Sequence, residues 1–100
     1  MIKKQYLKSK PVCKVTFKIG ENVAPNAGQI YLVGEFNNWD RQNSLLKKTK
    51  DGDFSTTIDL EPGKEYQFKY LIDGQNWLND PEADKFVPNT FQGENSVVVV

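Results

Sequence analysis

Apolar and polar residues alternate with a period of two through much of this 100-residue chain. Cys13, Val15, Phe17 and Ile19 fall on one face and Lys14, Thr16 and Lys18 on the other, the mark of a half-buried strand. Gly20 to Gly28, with Pro25 and Asn26, reads as a turn. Gln29 to Phe36 is a second strand, apolar on both faces through Ile30, Tyr31, Leu32 and Val33, and therefore central in its sheet. Leu45 to Lys50 and Asp53 to Leu60 flank Asp51-Gly52, a hairpin signal. Phe54, Thr56, Ile58 and Leu60 should face inward. Pro62-Gly63 suits a turn with positive φ at the glycine. Tyr66 to Ile72 then points Tyr66, Phe68, Tyr70 and Ile72 inward and Gln67, Lys69 and Leu71 outward, before Asp73-Gly74 turns the chain again.

Gln75 to Gly93, with Pro81 and Pro88, reads as irregular, and Val97 to Val100 as a last short buried strand. Met1 to Lys10 reads as a loose polar lead-in to a single domain over residues 11–100. No segment keeps a 3.6-residue period. The fold class is all-β, an immunoglobulin-like β-sandwich of roughly six to eight short strands.

Composition narrows the function. Thirteen basic residues balance thirteen acidic ones, which removes the simplest argument for nucleic acid. Residues 1–18 carry six lysines and no acid. That pattern suits either a basic arm or a strand edge that uses lysine against edge-to-edge pairing. Cys13 is the sole cysteine, so no intramolecular disulfide forms, and the absence of histidine excludes His-dependent triads and the commonest metal sets. No apolar run matches a signal peptide or a membrane span, and a cytoplasmic chain is expected. A chain that starts with methionine and ends inside its last strand would, if complete, be a free-standing module.

Asp73, Asp80 and Asp84 are close enough in sequence for a carboxylate pair to be conceivable. Glycoside hydrolysis, however, needs a deep cleft that a sandwich this small rarely holds, so these acids read as turn formers and surface charges. Two tryptophans in polar surroundings point to binding. Trp39 follows Asn37 and Asn38 in GEFNNWD, and Trp77 lies in DGQNWLND. A flat indole covers the apolar C–H face of a glucose ring, while nearby amide and ammonium groups bond its hydroxyls. Lys69 belongs on the outer face of the strand that leads to Trp77. The competing reading makes each tryptophan a plug over an open end of the sandwich.

Taken together, YLVGEFNNWD, YQFKYLIDG, NWLNDP and the closing GENSVVVV resemble carbohydrate-binding module family 48. That family includes the glycogen-binding domain of the AMP-activated protein kinase β subunit and the N-terminal domains of isoamylases and branching enzymes. The resemblance covers residues 12–100 and implies an early-set sandwich, without catalysis, that binds α-1,4-glucans such as glycogen, starch or maltooligosaccharides. Carried onto this sequence, it makes Trp39 and Trp77 the pair that stacks on successive glucose units, Lys69 the strand lysine and Asn95 the asparagine before the last strand. Phe91 takes the place of a leucine that packs inside the curved glucan, and Gly93 stands where a hydroxyl residue is expected. The implied partners are an α-glucan polysaccharide or maltooligosaccharide and a glycogen-metabolising enzyme or kinase, with no cofactor, metal, nucleic acid or membrane. The alternative is a docking sandwich that serves such enzymes without binding sugar itself.

Overall fold

The computed structural model describes residues 2–89 and 93–100. Ten short strands lie among them: β1 (Ile2–Tyr6), β2 (Cys13–Ile19), β3 (Ile30–Gly34), β4 (Ser44–Leu45), β5 (Lys47–Lys48), β6 (Phe54–Leu60), β7 (Glu65–Ile72), β8 (Asn76–Leu78), β9 (Lys85–Pro88) and β10 (Glu94–Val99). One 3-10 turn, Glu35–Asn37, follows β3. Every strand pair is antiparallel. One sheet runs β1-β2-β6-β5; the other runs β4-β3-β7-β10-β9, with β8 also paired to β7.

The period-two pattern of β2 has the expected result. Cys13, Val15, Phe17 and Ile19 are all buried against the facing sheet, with Cys13 as a free core thiol. The Phe17 ring meets Phe68 of the other sheet edge-on at 5.1 Å, and Phe68 meets Tyr70 at 5.7 Å. Burying such side chains, at about 25 cal/mol per Å² of apolar surface, is the main force that joins the two layers. The hairpin at Asp51-Gly52 forms as expected, with the Thr49 N–H donating to Asp53 O (2.7 Å). Gly63 adopts φ of +83°.

The additional strands have identifiable causes. Residues 2–6, expected as part of a loose lead-in, pair with the first five residues of β2, from Ile2 opposite Phe17 to Tyr6 opposite Cys13. The free edge of β2 satisfies their backbone groups, Ile2 packs on the core, and Lys4 finds Asp84 at 2.7 Å. Leu45 to Lys50 divides between the sheets: β4 pairs with β3 and β5 with β6, on either side of buried Leu46. The stretch expected to be irregular holds β8 and β9; Pro88 is tolerated because β9 is a sheet edge. Leu71 points outward as the alternation requires, yet it is only 4% exposed. Its cross-strand neighbours Tyr31 and Trp77 project from the same face and cover it.

Asp84 also accepts the Val99 N–H (2.7 Å), so one carboxylate ties β1 to β10. Burial pushes its pKa up, but the hydrogen bonds from Lys4 and Val99 and the Lys4 charge prevail and hold it below the ordinary carboxylate value. A carboxyl group depressed in the folded state stabilises the protein above its unfolded pKa, and that contribution is lost as pH falls through the folded one. Urea midpoints should therefore decline below about pH 4, and the decline should be shallower in Asp84→Asn; the latch is partly exposed, and solvent screening keeps the difference below about 1 kcal/mol.

Candidate functional site

The site begins where β3 stops. Gly34 lies so close to β7 that a Cβ there would sit 2.6 Å from Gln67 O and 2.7 Å from Phe68 Cβ. The chain then turns through Glu35–Asn37, and Asn37 acts as the hub of the loop. Its Oδ1 accepts the Gly34 N–H (3.0 Å), while its Nδ2 donates to Leu32 O (2.9 Å) and Ser44 Oγ (3.3 Å). The Glu35 carboxylate accepts the Gln67 N–H (2.6 Å) and holds the turn against β7. Asn38 and Trp39 follow with φ of 57° and 58°. Asparagine tolerates the left-handed region, but for a bulky aromatic it is an outlier. The Trp39 N–H bonds to Gly34 O (2.8 Å) and fixes this conformation. Strain of this kind costs about 1–3 kcal/mol and concentrates at functional sites.

Trp77 is placed by a strand rather than by the loop that the polar sequence suggests. In β8 it pairs with Leu71, so it shares the outer face with Lys69, two residues earlier on β7. The segment after it is pinned by a buried polar network. Asp80 is fully buried: one carboxyl oxygen accepts the Tyr70 hydroxyl (2.8 Å) and the other the Glu82 N–H (2.8 Å). The Asp80 N–H donates to Ser96 Oγ (3.0 Å), and that hydroxyl donates to Asn79 Oδ1 (2.8 Å). Burial first, then the Asp80 charge and hydrogen bond, push the Tyr70 phenol far above its usual pKa, so it remains a donor at any working pH.

Trp39, Lys69, Trp77 and Asn95 line one open groove of about 770 Å³, together with Arg41, Gln67, Pro88, Asn89 and Gly93. Trp39 and Trp77 are 39% and 43% exposed. Lys69 Nζ donates to Glu94 O (2.9 Å), which leaves two further donors for a ligand. Asn95 Nδ2 donates to Gln67 Oε1 (3.1 Å), and Asn89 Nδ2 donates to Asn95 Oδ1 (3.1 Å). The groove wall is thus a line of hydrogen-bonded amides. Phe91 lies outside the described residues.

Three of the groove residues carry signals that the sequence reading passed over. Arg41, the sole arginine, stands two residues beyond Trp39, and its guanidinium lies 5.5 Å from the centre of the Trp77 ring. Gln67 follows from the same alternation that selects Lys69. Asn89 comes into the groove only through the pairing of β9 with β10. The three acids once conceivable as a catalytic pair all have structural partners: Asp80 and Asp84 as described, and Asp73 accepting the N–H groups of Gly28 (2.9 Å) and Gln29 (2.8 Å).

Fold and groove together define a class: an antiparallel β-sandwich with an open groove on one face, lined by two partly exposed tryptophans. A family profile described as the glycogen recognition site of AMP-activated protein kinase matches residues 23–100, and the chain belongs to that family. Among its relatives, Protein PTST homolog 2, chloroplastic, of Arabidopsis thaliana is 43% identical over 59% of this chain and 11% of its own length. The 5'-AMP-activated protein kinase subunit beta-2 of Homo sapiens is 40% identical over 53% of this chain and 18% of its own. Subunit beta-1 of Sus scrofa is 37% identical over 72% of this chain and 54% of its own. The chain thus spans about half or less of each of these relatives. One of them is chloroplastic by name, so membership does not fix a compartment. Among the described residues no helix is long and apolar enough to cross a membrane.

Proposed function

We propose that this chain is a non-catalytic module that binds α-1,4-glucan chains of the glycogen and starch type in the groove between Trp39 and Trp77. The observation that carries this reading is the pair of partly exposed indoles in one groove whose polar side chains, among the described residues, are amides and cations. Each indole takes the apolar face of one glucose unit, and Lys69 and Asn95 bond the hydroxyl rim. Strain at Trp39 supports the same assignment, since a ring held at positive φ is held there against local preference. The names of the kinase-subunit relatives favour a second, compatible role, in which the module brings a larger assembly to the polymer.

Magnitudes favour modest affinity. If each indole covers roughly 100 Å² of apolar surface, the pair contributes about 5 kcal/mol. Each polar contact adds about 0.5–1.5 kcal/mol, and association costs at least about 4 kcal/mol. The balance corresponds to dissociation constants of roughly micromolar to millimolar, suited to a polymer that offers many adjacent sites.

Electrophoresis through a native gel containing glycogen tests the proposal. The protein should be retarded, and Trp77→Ala should lose most of that retardation, about tenfold or more in affinity, with its thermal unfolding unchanged. Unretarded migration of the unaltered chain would refute glucan binding. Full retention by Trp77→Ala would place the site on another face.

A further inference from the structure

The groove carries a charge that a neutral glucan does not use. Arg41 and Lys69 both line it, and no aspartate or glutamate does among the described residues. The chain as a whole has zero net charge, so this positive character is local. The Arg41 guanidinium carbon lies 5.5 Å from the centre of the Trp77 ring, a contact with the π system that uses none of its N–H donors. Its five donors form a rigid fork that matches a phosphate oxygen pair, and Lys69 adds a point charge with donors left over. A hydroxyl can accept a hydrogen bond from Lys69 but uses neither positive charge.

We propose, building on the glucan-binding reading, that the groove discriminates among α-glucans by charge and prefers chains that carry phosphate monoesters. Trp39 and Trp77 hold consecutive glucose units, and Arg41 grips an esterified phosphate on the unit seated at Trp77, with Lys69 supplying the second positive charge. Arg41 is then the specificity-determining residue, and Trp77 positions it as well as the sugar. Because the groove is open to solvent, the charge contribution is modest and screened by salt.

The test compares a maltooligosaccharide bearing one 6-phosphate with the same oligosaccharide after phosphatase treatment, using calorimetric titration at low and high salt. The phosphorylated ligand should bind about five- to tenfold more tightly at low salt, an advantage that shrinks at high salt and disappears in Arg41→Gln. The ratio of the two affinities is the readout, so a change in overall affinity caused by the substitution does not affect it. Equal affinity of the unaltered chain for both ligands, or a preference that survives in Arg41→Gln, would overturn the proposal while leaving glucan binding intact. Binding of neither ligand would overturn both. Inorganic phosphate should displace the oligosaccharides only weakly; displacement as effective as that by the phosphorylated ligand would show a simple anion site and contradict selection of a phosphoglucan.

Discussion

Asp80→Ala is expected to destabilise the fold by about 3 kcal/mol, the upper end of the cost of orphaning buried polar groups. The substitution removes both acceptor oxygens at once. The Tyr70 hydroxyl, on a side chain with no exposure, loses its 2.8 Å partner, and the Glu82 N–H loses the bond that closes the turn after Pro81. Tyr70→Phe should cost about 1 kcal/mol, because the carboxyl group keeps its remaining bonds. Chemical denaturation monitored by circular dichroism measures both. The network also anchors the segment that follows Trp77, so Asp80→Ala should weaken glucan binding even at temperatures where the variant remains folded. Equal stability of Asp80→Ala and the unaltered chain would mean that the segment is held by β8 pairing alone.

Gly34→Ala should cost about 3 kcal/mol, an overpacking effect. Gly34 has φ of −170°, an extended backbone open to any residue, so backbone strain plays no part. The cost comes from contact: the added methyl would fall 2.6 Å from Gln67 O, 2.7 Å from Phe68 Cβ and 2.9 Å from Phe36 Cζ. Two of those atoms belong to β7 and cannot yield without opening the β3–β7 pairing. Gly63→Ala is the informative control. Its added Cβ meets nothing within 4 Å, and only its φ of +83° opposes the change, at a cost of about 1 kcal/mol. A loss at Gly34 no larger than that at Gly63 would show that the close approach of β3 to β7 yields readily to an added methyl. Displacement of Gly34 should also move the Trp39 N–H, which bonds to its carbonyl, and so weaken sugar binding.

How much of this was legible in the sequence depended on whether the deciding interaction was local. Alternation in β2, β6 and β7 and the dipeptides Asp51-Gly52 and Pro62-Gly63 carry their own instructions, and the structure follows them. β1 escaped because its residues are polar; what makes it a strand is the vacant edge of β2. The division of Leu45 to Lys50 between two sheets is decided by Leu46 entering the core, which no short window reveals. In the site, Trp39 and Trp77 were legible as aromatics out of place among turn residues, and Lys69 from its register. Arg41 and Asn89 were not, because their relation to Trp77 and Asn95 exists only after the loop beyond β3 brings Arg41 to the Trp77 ring and β9 pairs with β10. Asp80 reads correctly as a turn former, but its burial depends on Tyr70, ten residues earlier, pointing into the same core.

The two tryptophans give a direct view of the groove, since the chain has only two indole N–H groups for nuclear magnetic resonance to follow. Titration with maltoheptaose should shift both indole signals along a single binding curve, with Lys69 and Asn95 among the perturbed residues and the β1–β2 face unmoved. Saturable binding that leaves either indole signal in place, or that perturbs the β1–β2 face instead, would contradict a glucan site built on the Trp39–Trp77 pair.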